Sequence, residues 1–291
     1  MADITYRQVH KEIEQYISLL NGHAFTTSKI DREFNYASRE AKRYRWQVLN
    51  EYVKAGKLKR MGVDRFRQID QELVEIEWQK ADVMNIVNVQ WPMELEKYIK
   101  TYRQSICVIA GTPGSGKTAF LEHFVVKNMY NPMGVWLFNN DMSDEEIKER
   151  MDNTGIPIPV PPPFHTKDRD CNFADIVQPN GINVIDYLDL NSELYLIGEE
   201  IEAIYRKLED GIALIGIQKK PGQAIGLGGI FSWKRAKLYM SLDEVKEGAE
   251  LYHKLTIVKA RGRTDPKVNP NGMEWKFKLI GGIKFWVKEM G

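Results

Sequence analysis

The chain has 291 residues, of which 43% are hydrophobic and 28% are charged, and its net charge is +1. This length suffices for about two domains with separate cores, and the composition is typical of a soluble globular protein. No apolar run approaches the ~18 residues needed to cross a bilayer, and the first residues lack the basic-then-apolar order of a signal peptide. The two cysteines do not predict a disulfide framework, and no His/Cys cluster predicts zinc. We therefore expect a cytoplasmic protein with no membrane partner.

Positive charge is concentrated at the front of the chain. Residues 1–69 contain 14 Lys/Arg and 8 Asp/Glu, so they carry a net charge of +6, whereas the remaining residues carry −5. An N-terminal part that is basic, joined to a mildly acidic body, predicts that the front end meets a polyanion.

Three helices and a hairpin are predicted within residues 1–69. The first helix is expected to stop at Asn21-Gly22, the second to be capped by Thr26-Thr27-Ser28, and the third to run from Ser38 to Gly56. Alternating residues around the turn at Gly62 then predict a small hairpin. Three helices followed by a hairpin resemble a winged helix-turn-helix domain, in which the third helix enters the major groove and the wing contacts the backbone.

The winged-helix resemblance implies duplex DNA as a partner. Arg39, Lys42 and Arg43 lie on the third helix and Arg65 lies on the wing, where each can contact phosphate. Winged helices also serve as protein–protein modules, and basic residues often form only a solvated face. Both interpretations stay open for this segment.

Residues 70–100 are expected to be a junction between two domains. The stretch 71–78 is acidic and fits a strand or a short helix, and Trp91-Pro92 interrupts regular structure. Leu95, Tyr98 and Ile99 predict a short amphipathic helix. Both a simple tether and a segment packed on a neighbouring subunit are compatible with this pattern.

The most specific motif is a glycine-rich loop, G-T-P-G-S-G-K-T, which fits G-x-x-x-x-G-K-[ST] at each fixed position. It follows an apolar strand at 106–110 and precedes an apolar helix, as a phosphate-binding loop requires. Its backbone N–H groups and the helix N-terminus favour phosphate, Lys117 reaches the β- and γ-phosphates, and the Thr118 hydroxyl ligates Mg²⁺. We therefore predict that ATP and Mg²⁺ are bound by Gly111, Thr112, Pro113, Gly114, Ser115, Gly116, Lys117 and Thr118.

Two further apolar strands are each followed by an acidic residue. The strand at 135–138 leads to Asp141, which either deprotonates the water that attacks the γ-phosphate or belongs only to the turn. Ser143 then caps a helix with acidic residues in its first turn. The strand 182–186 ends in Asp186, the Walker B pattern, which predicts that this carboxylate holds Mg²⁺ through water.

These motifs resemble the DnaB-type replicative helicases, which have a RecA-like fold. F-N-N-D-M-S at 138–143 resembles the family's F-S-L-E-M-S, and I-D-Y-L-D-L at 185–190 resembles its I-D-Y-L-Q-L. The resemblance implies that Asp141 replaces the family's catalytic glutamate. Because aspartate is one methylene shorter, the water must stand closer or the loop must shift. Asp189 stands where the family has glutamine, so it receives no metal role.

The resemblance also implies a sensor and a DNA-binding loop. Gln218, at the tip of the strand 212–217, corresponds to the polar residue that senses the γ-phosphate. The glycines and lysines of the following loop allow close approach to a DNA phosphate, although an unliganded surface loop is the alternative. The predicted DNA-binding residues of this loop are Lys219, Lys220, Gly222, Gln223, Gly228 and Gly229.

The resemblance extends to a K-x-R-x-G motif that reaches the nucleotide of a neighbouring subunit. Lys259 and Arg261 match K-x-R, and Arg263 stands at the glycine position, so the finger is Arg261 or Arg263. A finger acting in trans requires a homo-oligomeric ring or filament, for which the family implies a hexamer. Strands at 275–280 and 283–287 are expected to close the sheet edge, and the proline-rich stretch 157–163 fits either a rigid spacer or a channel loop.

The sequence thus predicts an α/β protein in three parts: a winged helix at 1–69, a junction at 70–100, and at 101–291 a RecA-like P-loop ATPase with a doubly wound, mostly parallel sheet. The function that these motifs favour is a ring-forming, DnaB-like helicase that hydrolyses ATP between subunits while moving on single-stranded DNA. Two alternatives stay open. One is a RecA-type recombinase or KaiC-like ATPase that assembles without unwinding, and the other is a DNA-binding replication initiator or loader that uses ATP as a switch.

Overall fold

The computed structural model describes residues 4–18, 24–69, 75–187 and 194–290. The expected helix stop at Asn21-Gly22, residues 71–74 of the acidic stretch, and Asp189 lie outside these ranges. The chain divides into two compact units, Met1–Ala81 and Asp82–Gly291. The boundary between them falls inside the segment expected to be a junction.

The first unit consists of three helices and a three-stranded antiparallel sheet in the order β1-β3-β2. The predicted helices and hairpin are present, whereas the short strand β1 was not predicted. The elements are α1 Tyr6–Ser18, β1 Ala24–Thr26, α2 Thr27–Glu33, α3 Arg39–Lys54, β2 Leu58–Arg60 and β3 Arg65–Gln68.

Local sequence explains where α3 begins and ends. Ser38 caps its N-terminus, because the Ser38 hydroxyl accepts the Ala41 N–H at 3.1 Å. Gly56 follows its C-terminus with φ +69°, a left-handed conformation that favours glycine. The buried face of α3 carries Val48 and Leu49 and packs in the core of this unit. Arg39, Lys42 and Arg43, outside that buried face, are exposed to solvent.

The second unit is built on one nine-stranded sheet. Its strands are β4 Ser105–Gly111, β5 Val135–Asn139, β6 His165–Asp168, β7 Ile182–Asp186, β8 Ile212–Gln218, β9 Leu238–Glu247, β10 Glu250–Ala260, β11 Glu274–Ile280 and β12 Lys284–Met290. Its helices are α4 Lys117–Lys127, α5 Asp144–Asn153, α6 Leu194–Lys207 and α7 Ile230–Arg235.

The strand order is β12-β11-β10-β9-β4-β8-β7-β5-β6. The six strands from β9 to β6 are parallel, and β10, β11 and β12 extend the sheet as antiparallel neighbours. The expected pairing of β11 with β12 at the sheet edge is confirmed. Neither β6 nor β9 was predicted, and β6 shows no apolar pattern because all four of its residues are exposed.

Helices cover both faces of the parallel strands. On one face Phe124 of α4 shares a core with Ile109 of β4, and on the other Ile201 of α6 shares a second core with Val108. Alternate residues of one strand therefore enter different cores, which is why β4 is apolar at successive positions. The predicted doubly wound, mostly parallel α/β sheet is confirmed.

The part of the expected junction from Val87 to Ile99 packs into the core of the second unit. Trp91 is fully buried and stands 4.6 Å, centroid to centroid, from the ring of Phe124. Leu95 and Ile99 are also buried, and a short 3-10 helix spans Pro92–Lys97 where an amphipathic helix was expected. The segment interrupted by Trp91-Pro92 is thus irregular in backbone but well packed.

The proline-rich stretch 157–163 forms neither helix nor strand, as its prolines require. Its role as a spacer or channel loop stays a prediction.

Candidate nucleotide-binding site

The glycine-rich loop has the tight geometry that phosphate binding needs. A Cβ on Gly111 would overlap the Ser115 hydroxyl, and Gly114 and Gly116 have φ +76° and +89°. Ser115 closes the turn, because its N–H and its hydroxyl both donate to the Thr112 carbonyl, at 3.1 and 2.7 Å. Helix α4 begins at the next lysine, Lys117, so its first-turn amides face the loop.

Parallel pairing brings the other predicted site residues to the same edge of the sheet. Gly111 pairs with Gln218 of β8, and Asn139 of β5 pairs with Asp186 of β7. Because β4, β8, β7 and β5 are adjacent and parallel, their carboxyl ends meet beside the loop. Ligands of open α/β sheets bind in such a crevice. The phosphate loop, Asp186 and Gln218 therefore belong to one site.

Asp186 is the electrostatic centre of this site. Burial raises the pKa of this carboxyl, while the nearby Lys117 charge and a hydrogen bond with Thr118 oppose that shift. Its Oδ1 atom is buried without a hydrogen-bond partner, an arrangement that normally costs free energy unless a ligand completes it. Lys117 is also buried, with Nζ 4.4 Å from the Tyr187 ring centroid.

Oxygen donors at this position fit Mg²⁺. A hydroxyl from Thr118 and a carboxylate from Asp186 are the hard ligands that this cation prefers, with water and phosphate oxygens completing its coordination. No cluster of three or more His, Cys, Asp or Glu that could hold a metal ion occurs within the described ranges. An all-protein metal cage is therefore not built from the residues that the structure describes.

Asp141 lies in a loop that is hydrogen-bonded to the residue directly after β7, the strand that ends in Asp186. The Asn140 side-chain amide donates to the Tyr187 carbonyl at 3.2 Å, and the Tyr187 N–H donates back to Asn140 Oδ1 at 3.4 Å. The Asp141 N–H bonds Asn139 Oδ1 at 3.3 Å, and its carboxylate is exposed. Its negative charge also raises the pKa of Asp186. Asp141 is thus close to the site and free to meet solvent.

Sequence reasoning missed two residues behind this site, Glu122 on α4 and Arg150 on α5. Arg150 Nε donates to Glu122 Oε2 at 2.6 Å, and Glu122 is fully buried. The available signal was one acidic residue inside the apolar run A-F-L-E-H-F-V-V. A charge on the buried side of such a helix requires a partner.

The structure corrects the role expected of Lys219. Its side chain is completely buried rather than presented on a DNA-binding loop, and Nζ bonds Asp243 Oδ1 and Ser241 Oγ, each at 2.6 Å. Its backbone N–H donates to the Gly111 carbonyl at 3.1 Å. Lys219 therefore joins β8 to β9 below the phosphate loop and cannot contact DNA in this conformation.

The rest of the loop and the first unit present most of their predicted DNA-binding residues to solvent. Gly228 is the exception, because it is buried. The exposed residues are Lys220, Gly222, Gln223 and Gly229 in the loop, Arg39, Lys42 and Arg43 on α3, and Arg65 on β3. Arg45, in contrast, is paired with Asp31 and only 13% exposed.

Lys259 and Arg261 lie near the amino-terminal ends of the parallel strands, whereas the phosphate loop lies at their carboxyl ends. The Arg261 N–H bonds the Lys237 carbonyl, and the Lys237 N–H bonds Ile106, near the start of β4. Lys259 is half-buried, with Nζ bonded to the Trp233 carbonyl at 2.9 Å, while Arg261 and Arg263 are exposed. The structure does not bring the K-x-R motif to the phosphate loop of its own chain.

Comparisons with known proteins identify the fold. No protein-family model matches the sequence, and no curated protein is similar to it in sequence. A KaiC-like protein from Pyrococcus horikoshii is similar in structure, with a TM-score of 0.53 and 16% identity over 70% of this chain and 99% of that one. Flagellar accessory protein FlaH from Methanocaldococcus jannaschii has a TM-score of 0.52 and 10% identity over the same shares. This likeness shows the fold alone, and confirms the RecA-like P-loop architecture.

Within the described ranges, no helix is both long and apolar enough to span a membrane.

Proposed function

We propose that this chain is a KaiC-like, oligomeric ATPase that uses ATP to assemble or switch rather than to unwind DNA. The observation that carries the proposal is the convergence of a complete phosphate loop, Asp186 and Gln218 at one edge of the sheet. The likeness to a KaiC-like protein supports this choice over the helicase that the motifs alone favoured.

In this proposal the chain's own groups divide the work of hydrolysis. The α4 amides and Lys117 bind the β- and γ-phosphates, and Thr118 with Asp186 holds Mg²⁺, which neutralises phosphate charge when bound. Asp141 is the proposed proton acceptor for the attacking water, because its carboxylate is open to solvent and close enough to Asp186 to raise the pKa of that residue. We expect Gln218, which pairs with Gly111, to respond to the γ-phosphate.

The first unit supplies a second binding function, for duplex DNA. We infer a winged helix from its element order and from the exposed basic residues of α3. Its net positive charge favours a polyanion. The test is duplex DNA binding at several salt concentrations. Phosphate contacts make the affinity fall steeply with added salt, and a unit that binds protein instead should not show this fall.

The test of the ATPase is hydrolysis by wild type, Lys117→Ala and Asp186→Asn, with Lys148→Met as a surface control. Removing Lys117 should lower kcat by roughly 100-fold or more, because a preorganised charge on the phosphates is lost. Asp186→Asn should abolish the Mg²⁺ dependence of nucleotide binding, measured by titration with a fluorescent ATP analogue. Wild-type protein that neither binds nor hydrolyses ATP overturns the proposal.

A DnaB-like helicase is the second candidate, favoured by the F-N-N-D-M-S and I-D-Y-L-D-L segments. It differs from the first candidate in one observable, ATP-dependent unwinding of a tailed duplex with a defined polarity. Strand exchange would instead indicate a recombinase. Site-specific duplex binding without unwinding would indicate an initiator or loader. Hydrolysis and assembly without any of these activities supports the KaiC-like proposal.

A further inference from the structure

Helix α4 carries a carboxylate in its most buried stretch. Glu122 is 0% exposed, and its neighbours Leu121 and Phe124 are equally buried. Burial raises the pKa of Glu122 to about 7, in spite of the opposing charge of Arg150. A charge at such a position is retained only at a cost in solvation, so its partner is informative.

That partner comes from α5, the helix that follows Asp141. Arg150 Nε donates to Glu122 Oε2 at 2.6 Å, while Glu122 Oε1 is buried without a hydrogen bond. The Arg150 side chain is 26% exposed, so this pair is shielded from water on the carboxylate side. The positive charge of Arg150 also lowers the pKa of Asp186. The Arg150 guanidinium therefore interacts with Glu122 of α4 by a hydrogen bond and with Asp186 of β7 through its charge.

The two helices joined by this pair carry the two halves of the proposed active site. The start of α4 follows the phosphate loop, and the start of α5 follows Asp141. The front of α5 is held by its Ser143 capping box and by Asn140, which bonds Tyr187. Farther along α5, Met151 packs in the core that contains Phe124 of α4, but apolar contacts alone do not fix an orientation. Arg150, seven residues into α5, adds a directed hydrogen bond to α4.

We propose that Arg150 is a positioning residue for ATP hydrolysis, which acts through Glu122 to hold α5 in one place against α4 and so sets where Asp141 meets the attacking water. This inference rests on the proposed function, because it needs hydrolysis at this site. Its magnitude follows from geometry, since a displacement of about 1 Å at a reacting centre can cost on the order of 100-fold in rate.

The main test replaces the pair by apolar residues, Glu122→Met with Arg150→Met. Exchanging a buried ion pair for apolar side chains usually preserves folding, whereas removing one partner leaves an unpaired buried charge. At pH 8, where Glu122 is ionised in wild type, kcat should fall about 10- to 100-fold while the Kd for ATP changes less than about threefold. Arg150→Lys keeps the charge but loses the Nε donor, so its kcat should lie between that of wild type and that of the paired variant. Thermal unfolding of each variant verifies that it is folded.

The matched control is Lys148→Met, on the same helix. Lys148 pairs with Asp152 at 2.8 Å, and both side chains are largely exposed, so this pair makes no link to α4. Its kcat and Kd should equal those of wild type. A loss as large as that of the paired variant would mean that α5 responds to any change, and would overturn the proposal.

A double-mutant cycle separates positioning from a general effect. If Arg150 acts through Asp141, the paired substitution should cost nothing further in an Asp141→Asn background, since the group being positioned is already gone. Additive losses, or a loss of ATP affinity that matches the loss of kcat, overturn the inference. Failure of wild type to hydrolyse ATP would overturn the proposed function itself, and that result is read in wild type before any variant is made.

Discussion

At the scale of single residues, Glu122 and His123 are adjacent groups whose pKa values are displaced in opposite directions. Burial raises the pKa of Glu122 from 4.5 to about 7 and lowers that of His123 from 6.5 to about 4. Between pH 4.5 and 6.5 the folded state thus holds an extra proton on Glu122 and lacks one on His123. By linkage, the first makes stability fall as pH rises and the second makes it rise. The two slopes oppose each other over this window.

We predict that Glu122→Gln exposes the His123 slope. In that variant the stability of the second unit should increase with pH between 4.5 and 6.5 by up to about 1.4 kcal/mol per pH unit relative to wild type. The reciprocal variant, His123→Gln, should show stability that decreases with pH over the same window. Hydrogen exchange of the β4 amides at several pH values reports this stability, after correction for intrinsic exchange. Identical pH dependence in all three proteins would contradict the prediction.

At the scale of elements, two adjacent lysines that directly follow β8 differ in burial. Lys219 reaches across the end of β4 to Ser241 and Asp243 on β9, whereas Lys220 is exposed. Because β4 lies between β8 and β9, Lys219 connects three strands: its position directly after β8, its N–H bond to Gly111 of β4, and its ammonium contacts with β9. It is a structural clamp in a segment whose composition suggested DNA contact.

Lys219→Met should destabilise the second unit by about 2 kcal/mol, because it leaves Asp243 and Ser241 without their partner. The loss stays at this size because water can still reach the partly exposed Asp243 carboxylate. Lys220→Met is the matched control and should leave stability unchanged. Urea denaturation, with hydrogen exchange of the β8 amides as the probe, measures the difference. If loop 219–229 binds DNA, only the Lys220 variant should weaken binding without loss of stability. Equal stability of the two variants would show that the contacts of Lys219 with Ser241 and Asp243 do not stabilise the second unit.

At the scale of the whole molecule, the K-x-R motif and the phosphate loop lie at opposite ends of the parallel strands. Arg261 is aligned with the start of β4, and the five residue-to-residue steps from Ile106 to Gly111 span roughly 16 Å. A single chain therefore cannot place Arg261 on the nucleotide that it binds. If this arginine takes part in hydrolysis, a second copy must supply it.

Mixing two inactive variants tests this arrangement. Lys117→Ala lacks a working nucleotide site and Arg261→Ala lacks the finger, so each alone should be almost inactive. In an equimolar mixture about a quarter of the interfaces combine an intact site with an intact finger, and a corresponding fraction of activity should return. Arg263→Ala is the control and should stay active. Loss of activity in Arg263→Ala would transfer the finger to that residue, and absence of recovery on mixing would reject action in trans.

The sequence by itself determined the parts of this protein that depend on neighbouring residues. The phosphate loop, the strand before it and the helix after it follow from glycines, β-branched residues and a helix start within one short stretch. Asp186 and Gln218 could be placed because parallel strands that end in polar residues bring those residues to one edge. The cap at Ser143 likewise follows from Glu146 three residues later.

Only the tertiary structure decided the features that depend on which distant residues become neighbours. Lys219 and Lys220 are chemically alike, and only the crossing to β9 makes one a buried clamp. The pairing of Glu122 with Arg150 joins positions 28 residues apart. Trp91 is fully buried, although the irregular backbone around it gives no periodic pattern that predicts burial. Burial and partnership are set by the packing of whole elements, because the free energy of a charged or aromatic side chain depends on the surroundings that packing creates. Local patterns specify the elements and their chemistry, whereas packing determines which of those groups reach a ligand.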